Sequence, residues 1–164
     1  IPVLPLWLPE GATVRISKTE EYGLRLVMSL AGAGRQLTIR ELAEREGLPE
    51  ATVAKVVARL RESGLVEAER GRNGGYLLAE PAERLTLARV VEAFDETMFD
   101  GGFCSRMTPD GAACSRADGC GLRPVWHSLT ELVSGYLAGI TVADVVGAAR
   151  RPRRRALPVP TASA

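Results

Sequence analysis

A mainly α-helical chain with one small β-hairpin, extended by a long helix, is the fold this sequence predicts. Three observations carry that expectation. Capping boxes at Ser17/Glu20 and Thr38/Glu41 each open a stretch with apolar residues at helical spacing. A glycine-rich turn lies between two short strand-like runs in "LVEAERGRNGGYLLAE". A long apolar stripe then begins at Pro124 and recurs with the helical period.

Taken in order, the first helix follows Ser17 and aligns Leu24, Val27, Met28 and Ala31, with Gly32 and Gly34 ending it. Thr38 opens a short second helix to about Glu46, turning Ile39, Leu42 and Ala43 inward, and Gly47 stops it. Pro49 suits a first helical position, and the third helix runs to about Ser63 before Gly64. Its inward stripe is Val53, Val56, Val57 and Leu60. In the hairpin, Gly71, Asn73, Gly74 and Gly75 tolerate positive φ, and arginines stand at the tip. A fourth helix from Thr86 buries Leu87, Val90, Val91 and Phe94. After a cysteine-containing loop, the helix from Pro124 lines up Val125, Trp126, Leu129, Leu132, Val133, Tyr136, Leu137 and Ile140. There is no internal repeat.

Two short helices joined by a glycine turn, then a glycine-rich hairpin, describe a winged helix-turn-helix. A recognition helix must bury one face and carry short polar or basic groups on the other. Opposite its valines the third helix presents Thr52, Lys55 and Arg59, with Ala51 near the start. Thr52 suits a base edge or a thymine methyl, and Lys55 and Arg59 suit bases or phosphates. Arg70 and Arg72 sit on a turn narrow enough for a minor groove, whose negative potential favours arginine. Cations opposite an apolar stripe describe most surface helices. It is the capped helix, glycine turn and arginine-tipped wing together that point to double-stranded DNA. The Pro124 helix has more apolar face than a small subunit buries, which predicts a homodimer reading a palindromic operator.

The 164 residues make one domain with a modest appendage, 46% hydrophobic and 25% charged. A net charge of +1 means that any basic surface must be local. The single histidine, with no Ser/His/Asp grouping, phosphate loop or general acid–base pair, predicts binding without catalysis. The opening "IPVLPLWLPEGAT" lacks a basic region and is broken by three prolines, so neither a signal peptide nor a membrane span is expected there. The arginines of "RRPRRRALPVPTASA" could touch phosphate, although a solvated tail is the commoner outcome. The expected organisation is a disordered leader over 1–13, a winged domain over 14–98, a cysteine-containing loop over 99–123, a dimerisation helix over 124–146 and a disordered basic, Pro-rich tail over 147–164.

Every cysteine lies in "CSRMTPDGAACSRADGC", at Cys104, Cys114 and Cys120. An odd set cannot pair off internally and does not resemble a secreted disulfide framework, so a reducing cytoplasm is expected. The spacing Cys-x9-Cys-x5-Cys lacks the paired Cys-x2-Cys knuckles of common zinc sites. Clustered thiolates in a pliable polar loop suit a soft metal centre, and iron–sulfur clusters favour cysteinate. Three unrelated free thiols are the bland alternative.

Together "VRISKTEEYGLRLVMSLA", "LAEREGLPEATVAKVVARLRESGLVEAERGRNGGYLLA", the three loop cysteines and "CGLRPVW" resemble the Rrf family of bacterial winged-helix regulators, in its iron–sulfur cluster-binding, IscR-like and NsrR-like branches. The similarity covers roughly Val14 to Val146. It implies a homodimer whose long helices cross, with an iron–sulfur cluster (4Fe–4S or 2Fe–2S) near the interface. Cys104, Cys114 and Cys120 match the three thiolate ligands, although the first interval is longer than in the best-known members. Where IscR-like members have a histidine ligand, this chain has Arg123, which cannot ligate. NsrR-like members use a carboxylate near the N-terminus of the partner subunit, and the matching position is Glu21. His127, the only histidine, is a second candidate but sits at the edge of the apolar stripe. Arg70 matches the family's minor-groove wing arginine. Ala54 stands where IscR-like members carry an operator-selecting glutamate, so that discrimination does not transfer.

The resemblance implies a DNA-binding repressor sensing nitric oxide, redox state or Fe–S status. Two alternatives stay open at this point: a winged-helix regulator switched by zinc or thiols, and a cluster carrier or assembly accessory that no longer reads DNA.

Overall fold

A computed structural model of the chain describes residues 17–71, 74–94 and 120–150. The leader over 1–13, Arg72, Cys104, Cys114 and the tail beyond 150 lie outside the described residues.

Helix α1 (Lys18–Ala33) opens with the expected box: the Ser17 hydroxyl accepts from Glu20 N–H, and the Ser17 N–H donates to Glu20 at 2.8 Å. Gly34 closes it in the left-handed region, at φ 62°. Helix α2 (Ile39–Glu46) repeats the device with Thr38 and Glu41, and Gly47 ends it at φ 64°. Pro49 is the N-cap of α3 (Glu50–Glu62), so the helix starts one residue after the proline. Its four expected inward residues, Val53, Val56, Val57 and Leu60, are buried.

Strands β1 (Val66–Glu69) and β2 (Gly75–Leu78) pair antiparallel, with Val66 opposite Leu78 and Glu69 opposite Gly75. The wing is anchored to the helical body by an isolated bridge. Leu37 N–H donates to the Tyr76 carbonyl at 2.9 Å, and Tyr76 N–H donates back to Leu37 at 2.8 Å. Gly75 allows this approach, because a Cβ there would lie 2.9 Å from the Leu37 carbonyl carbon and oxygen. No real Cβ tolerates such a distance to backbone.

Thr86 caps α4 (Leu87–Glu92), and the chain continues through buried Ala93 and Phe94. The Phe94 ring seals the fold against α1, where a Cβ on Gly23 would fall 2.2 Å from it. The core runs through Leu26, Leu42, Val57, Leu60, Leu65 and Val90, all fully buried. Helix α1 is its hub, packing against α2, α3, α4 and β2.

The apolar stripe expected as one helix over 124–146 is two helices, α5 (Leu122–Ala138) and α6 (Val142–Arg150). The break has a tertiary cause. Leu87 N–H donates to the Ile140 carbonyl at 2.9 Å, and Val142 N–H donates to Leu85 at 2.8 Å. These bonds take backbone groups that a continuous helix would need for itself. Thr141 and Asp144 then cap the new helix: Asp144 accepts from Thr141 N–H at 3.0 Å, and the Thr141 hydroxyl accepts from Asp144 N–H at 3.1 Å. The Thr141 N–H and the Thr141 hydroxyl, which donates at 2.7 Å, both bond the Asp144 carboxylate and hold it below its ordinary range. Helix α6 packs against α1 and runs past Gly147, the expected start of the tail.

Helix α5 is different. It packs against α4, has no buried residue, and leaves Leu122, Val125, Leu132 and Val133 between 45% and 65% exposed. No helix among the described residues is long and apolar enough to cross a membrane.

Candidate nucleic-acid interface and cysteine segment

The turn between α2 and α3 sets the angle of the candidate recognition helix. Gly47 takes positive φ, Leu48 N–H reaches back to the Ala43 carbonyl at 3.1 Å, and the Pro49 carbonyl accepts from Thr52 at 2.9 Å and Val53 at 3.1 Å. With its valines locked inward, α3 leaves Ala51 and Lys55 exposed. Thr52 and Arg59 lie half-buried on the flanks, and Arg59 pairs loosely with Glu62 at 3.9 Å. The exposed ridge also includes Glu50, Ala54 and Ala58, which the sequence reading did not count as site residues. The exposure of 50, 54 and 58, spaced four apart, is the pattern that could have found them.

At the wing tip Arg70 is exposed, Gly71 takes φ 136°, and Gly74 N–H closes the turn onto the Gly71 carbonyl at 3.0 Å. Arg72 lies outside the described residues, so only the first of the two expected wing arginines has a described place.

Three arginines of the first two helices and their connection have an acidic partner: Arg25 with Glu46 at 2.9 Å, Arg35 with Glu41 at 2.7 Å and Arg40 with Glu44 at 2.9 Å. The Arg35 bond, with two more from Thr38, holds the Glu41 carboxyl down at about 2. No such ion pair engages Lys55 or Arg70 among the described residues. Lys55 on α3 and Arg70 on the wing are therefore cations without a described acidic partner where a phosphate backbone would be met, although Lys18, Arg45, Arg61 and Arg84 elsewhere on the body have none either.

Of the three thiols only Cys120 is described. It is free and half-buried, just before α5, and its carbonyl accepts from Arg123 N–H at 3.2 Å. With Cys104 and Cys114 outside the described residues, no three potential ligands come together among those described. Glu20 and Glu21 divide their work. Glu20 is buried in the capping box, whereas Glu21 is exposed and its ion pair with Arg25 is long, at 3.8 Å. Glu21 therefore keeps carboxylate oxygens available, and a trio of thiolates with such a carboxylate is a donor set suited to iron. His127 is exposed and lies 3.5 Å from Glu131 on the same helix, which gives it a partner outside the cysteine segment.

Arg25 links Glu21 to the end of α2. Its guanidinium contacts Glu21 on one side and, at 2.9 Å, Glu46 on the other; Ser29 donates to Glu46 as well. Glu46 is the last residue of α2, next to the turn into α3.

Comparison with known proteins agrees with this architecture. The Rrf2 family, described as iron-dependent transcriptional regulators, matches residues 16–148. The HTH-type transcriptional regulator IscR of Serratia proteamaculans is 29% identical over 135 residues, covering 81% of this chain and 79% of that protein. Its counterpart in Escherichia coli O9:H4 is 27% identical over the same length. Among solved structures, T. potens IscR superposes with a TM-score of 0.65 at 23% identity, over 86% of this chain and 94% of that one. CymR, the global cysteine regulator of B. subtilis, superposes with a TM-score of 0.64 at 21% identity, over 82% and 98%. These two likenesses establish the fold and leave the cofactor to the residues. The hairpin wing, the helix-turn-helix and a family match spanning both make this chain a member of the Rrf2 family of transcriptional regulators.

Proposed function

We propose that the chain is a cytoplasmic, homodimeric repressor whose grip on a palindromic DNA operator depends on an iron–sulfur cluster. Cys104, Cys114 and Cys120 are the thiolate ligands in this reading, with Glu21 of the partner subunit as the fourth. When bound, the cluster supplies iron chemistry responsive to nitric oxide, redox state or Fe–S supply. The observation that carries the reading is the gathering of every thiol in one segment, in a chain whose Glu21 carboxylate is spared from capping by Glu20.

Supporting arguments come from the rest of the molecule. Relatives are named IscR, and the family description is iron-dependent. The exposed apolar residues of α5 favour a second copy of this chain as their cover, since a two-fold dimer also supplies two reading heads. Because Arg25 is shared between Glu21 and Glu46, a change in what Glu21 binds alters the charge balance at the end of α2. Regulation extends only as far as the DNA-competent and incompetent states differ in their affinity for the cluster.

Anaerobic purification followed by iron and acid-labile sulfide assays tests the reading. Stoichiometric iron and sulfide are expected in the wild type, with reduced cluster retention in Glu21→Ala. Stoichiometric zinc without sulfide would overturn it.

A further inference from the structure

The solvent side of α3 carries a ridge of small residues headed by an acid. Ala51, Ala54 and Ala58 are exposed, and Glu50, the first residue of the helix, is exposed in line with Ala54 and Ala58. Side chains that end at Cβ let a helix backbone lie deep in a major groove, where its N-terminal residues meet base edges. On the line 50, 54 and 58, Glu50 is the one side chain that extends beyond Cβ.

Its chemistry is selective. An ionised carboxylate only accepts hydrogen bonds. Guanine shows two acceptors in the major groove and thymine shows one, and both repel it. Adenine pairs its amine with the N7 acceptor, whereas cytosine offers its N4 amine alone. A carboxylate facing the groove therefore prefers cytosine.

The same charge is costly near phosphates, so it is a poor choice for a surface that merely adheres to DNA. Arg40 of α2, although paired with Glu44, lies close enough to feel the Glu50 charge. The guanidinium donates to Glu44 at 2.9 Å, and its pKa is raised by that bond and by the charges of Glu44 and Glu50. The carboxylate at the head of α3 thus stands within the field of a cation on the neighbouring helix.

We infer that Glu50 is a specificity-determining residue, accepting a hydrogen bond from the N4 amine of one cytosine in each operator half-site. The inference rests on the DNA-reading role proposed above. A residue that only stabilised the helix N-terminus through the macrodipole would leave base preference untouched.

Selection of binding sites from a random duplex library, using the full chain prepared anaerobically, separates these roles. Wild type, Glu50→Ala and Glu50→Gln are compared, with helicity checked by circular dichroism. The wild type is expected to enrich cytosine at one position per half-site, by about tenfold over other bases. Glu50→Ala should flatten that position alone and tighten binding to unrelated duplex, because a repulsive charge is gone. Glu50→Gln should move the preference to adenine, whose N6 and N7 match an amide. An unchanged motif in both variants overturns the inference and leaves DNA reading intact. If the wild type enriches no motif, the DNA-reading role falls, and the inference falls with it.

Discussion

Replacing Gly75 by alanine tests how the wing is held. The added Cβ would sit 2.9 Å from the carbonyl carbon and oxygen of Leu37 and 3.2 Å from its nitrogen. These are backbone atoms, so relief requires the strand to withdraw. Withdrawal lengthens the two bonds of the Leu37–Tyr76 bridge, now 2.9 and 2.8 Å. At about 1 kcal/mol net per backbone bond, their loss costs about 2 kcal/mol. Alanine recovers about 0.4–1 kcal/mol by restricting the unfolded chain. The expected result is a net destabilisation of about 1–1.6 kcal/mol, seen as a lower urea midpoint at unchanged m. Hydrogen exchange gives a local readout, with protection of the Tyr76 amide falling more than that of buried α1 amides. Operator affinity should fall too, because Arg70 moves with the wing. An unchanged midpoint together with unchanged Tyr76 protection would refute the argument that Leu37 fixes the wing.

Three further outcomes are expected. Gly23→Ala forces a methyl to within 2.2 Å of the buried Phe94 ring, and overpacking of this kind costs about 1–3 kcal/mol; thermal unfolding should show the loss, and adding Phe94→Leu should return part of it. Arg35→Ala removes the largest cause of the low Glu41 pKa, so the carboxyl should titrate above its present value of about 2 in an NMR titration. The sign follows from the depressed pKa: Glu41 adds stability above its unfolded value, 4.5, and that share disappears as pH falls toward about 2. Arg70→Ala should weaken specific binding in a gel-shift titration, and Lys55→Ala, if Lys55 meets phosphate, should lower the salt slope by about one; equal affinities and slopes would remove both residues from the interface.

The local devices of this fold are written in short stretches of sequence. Ser17 with Glu20 and Thr38 with Glu41 cap their helices because the interacting groups lie three residues apart, and Gly34 and Gly47 end them because each must adopt positive φ. The inward valines of α3 follow from period alone. What sequence pattern misses depends on distant partners. Ile140 continues the apolar period of α5, yet bonds to Leu87 and Val142 to Leu85 divert the chain there. The Leu37–Tyr76 bridge and the Gly23–Phe94 contact are invisible for the same reason. On the candidate interface, basic character marks Lys55 and Arg59 in the sequence, while the small ridge headed by Glu50 is marked only by its four-residue spacing opposite the valines. Glu21 became a candidate through family resemblance, and its distinction from Glu20 rests on which carboxylate the cap consumes.

Operator affinity of a single anaerobic preparation, measured before and after cluster removal and again after rebuilding with iron and sulfide, decides whether the cluster controls DNA binding. Affinity for the chain's own promoter is expected to change on removal and to return on rebuilding, with Glu21→Ala failing to recover fully. Identical affinity in all three states would contradict that control.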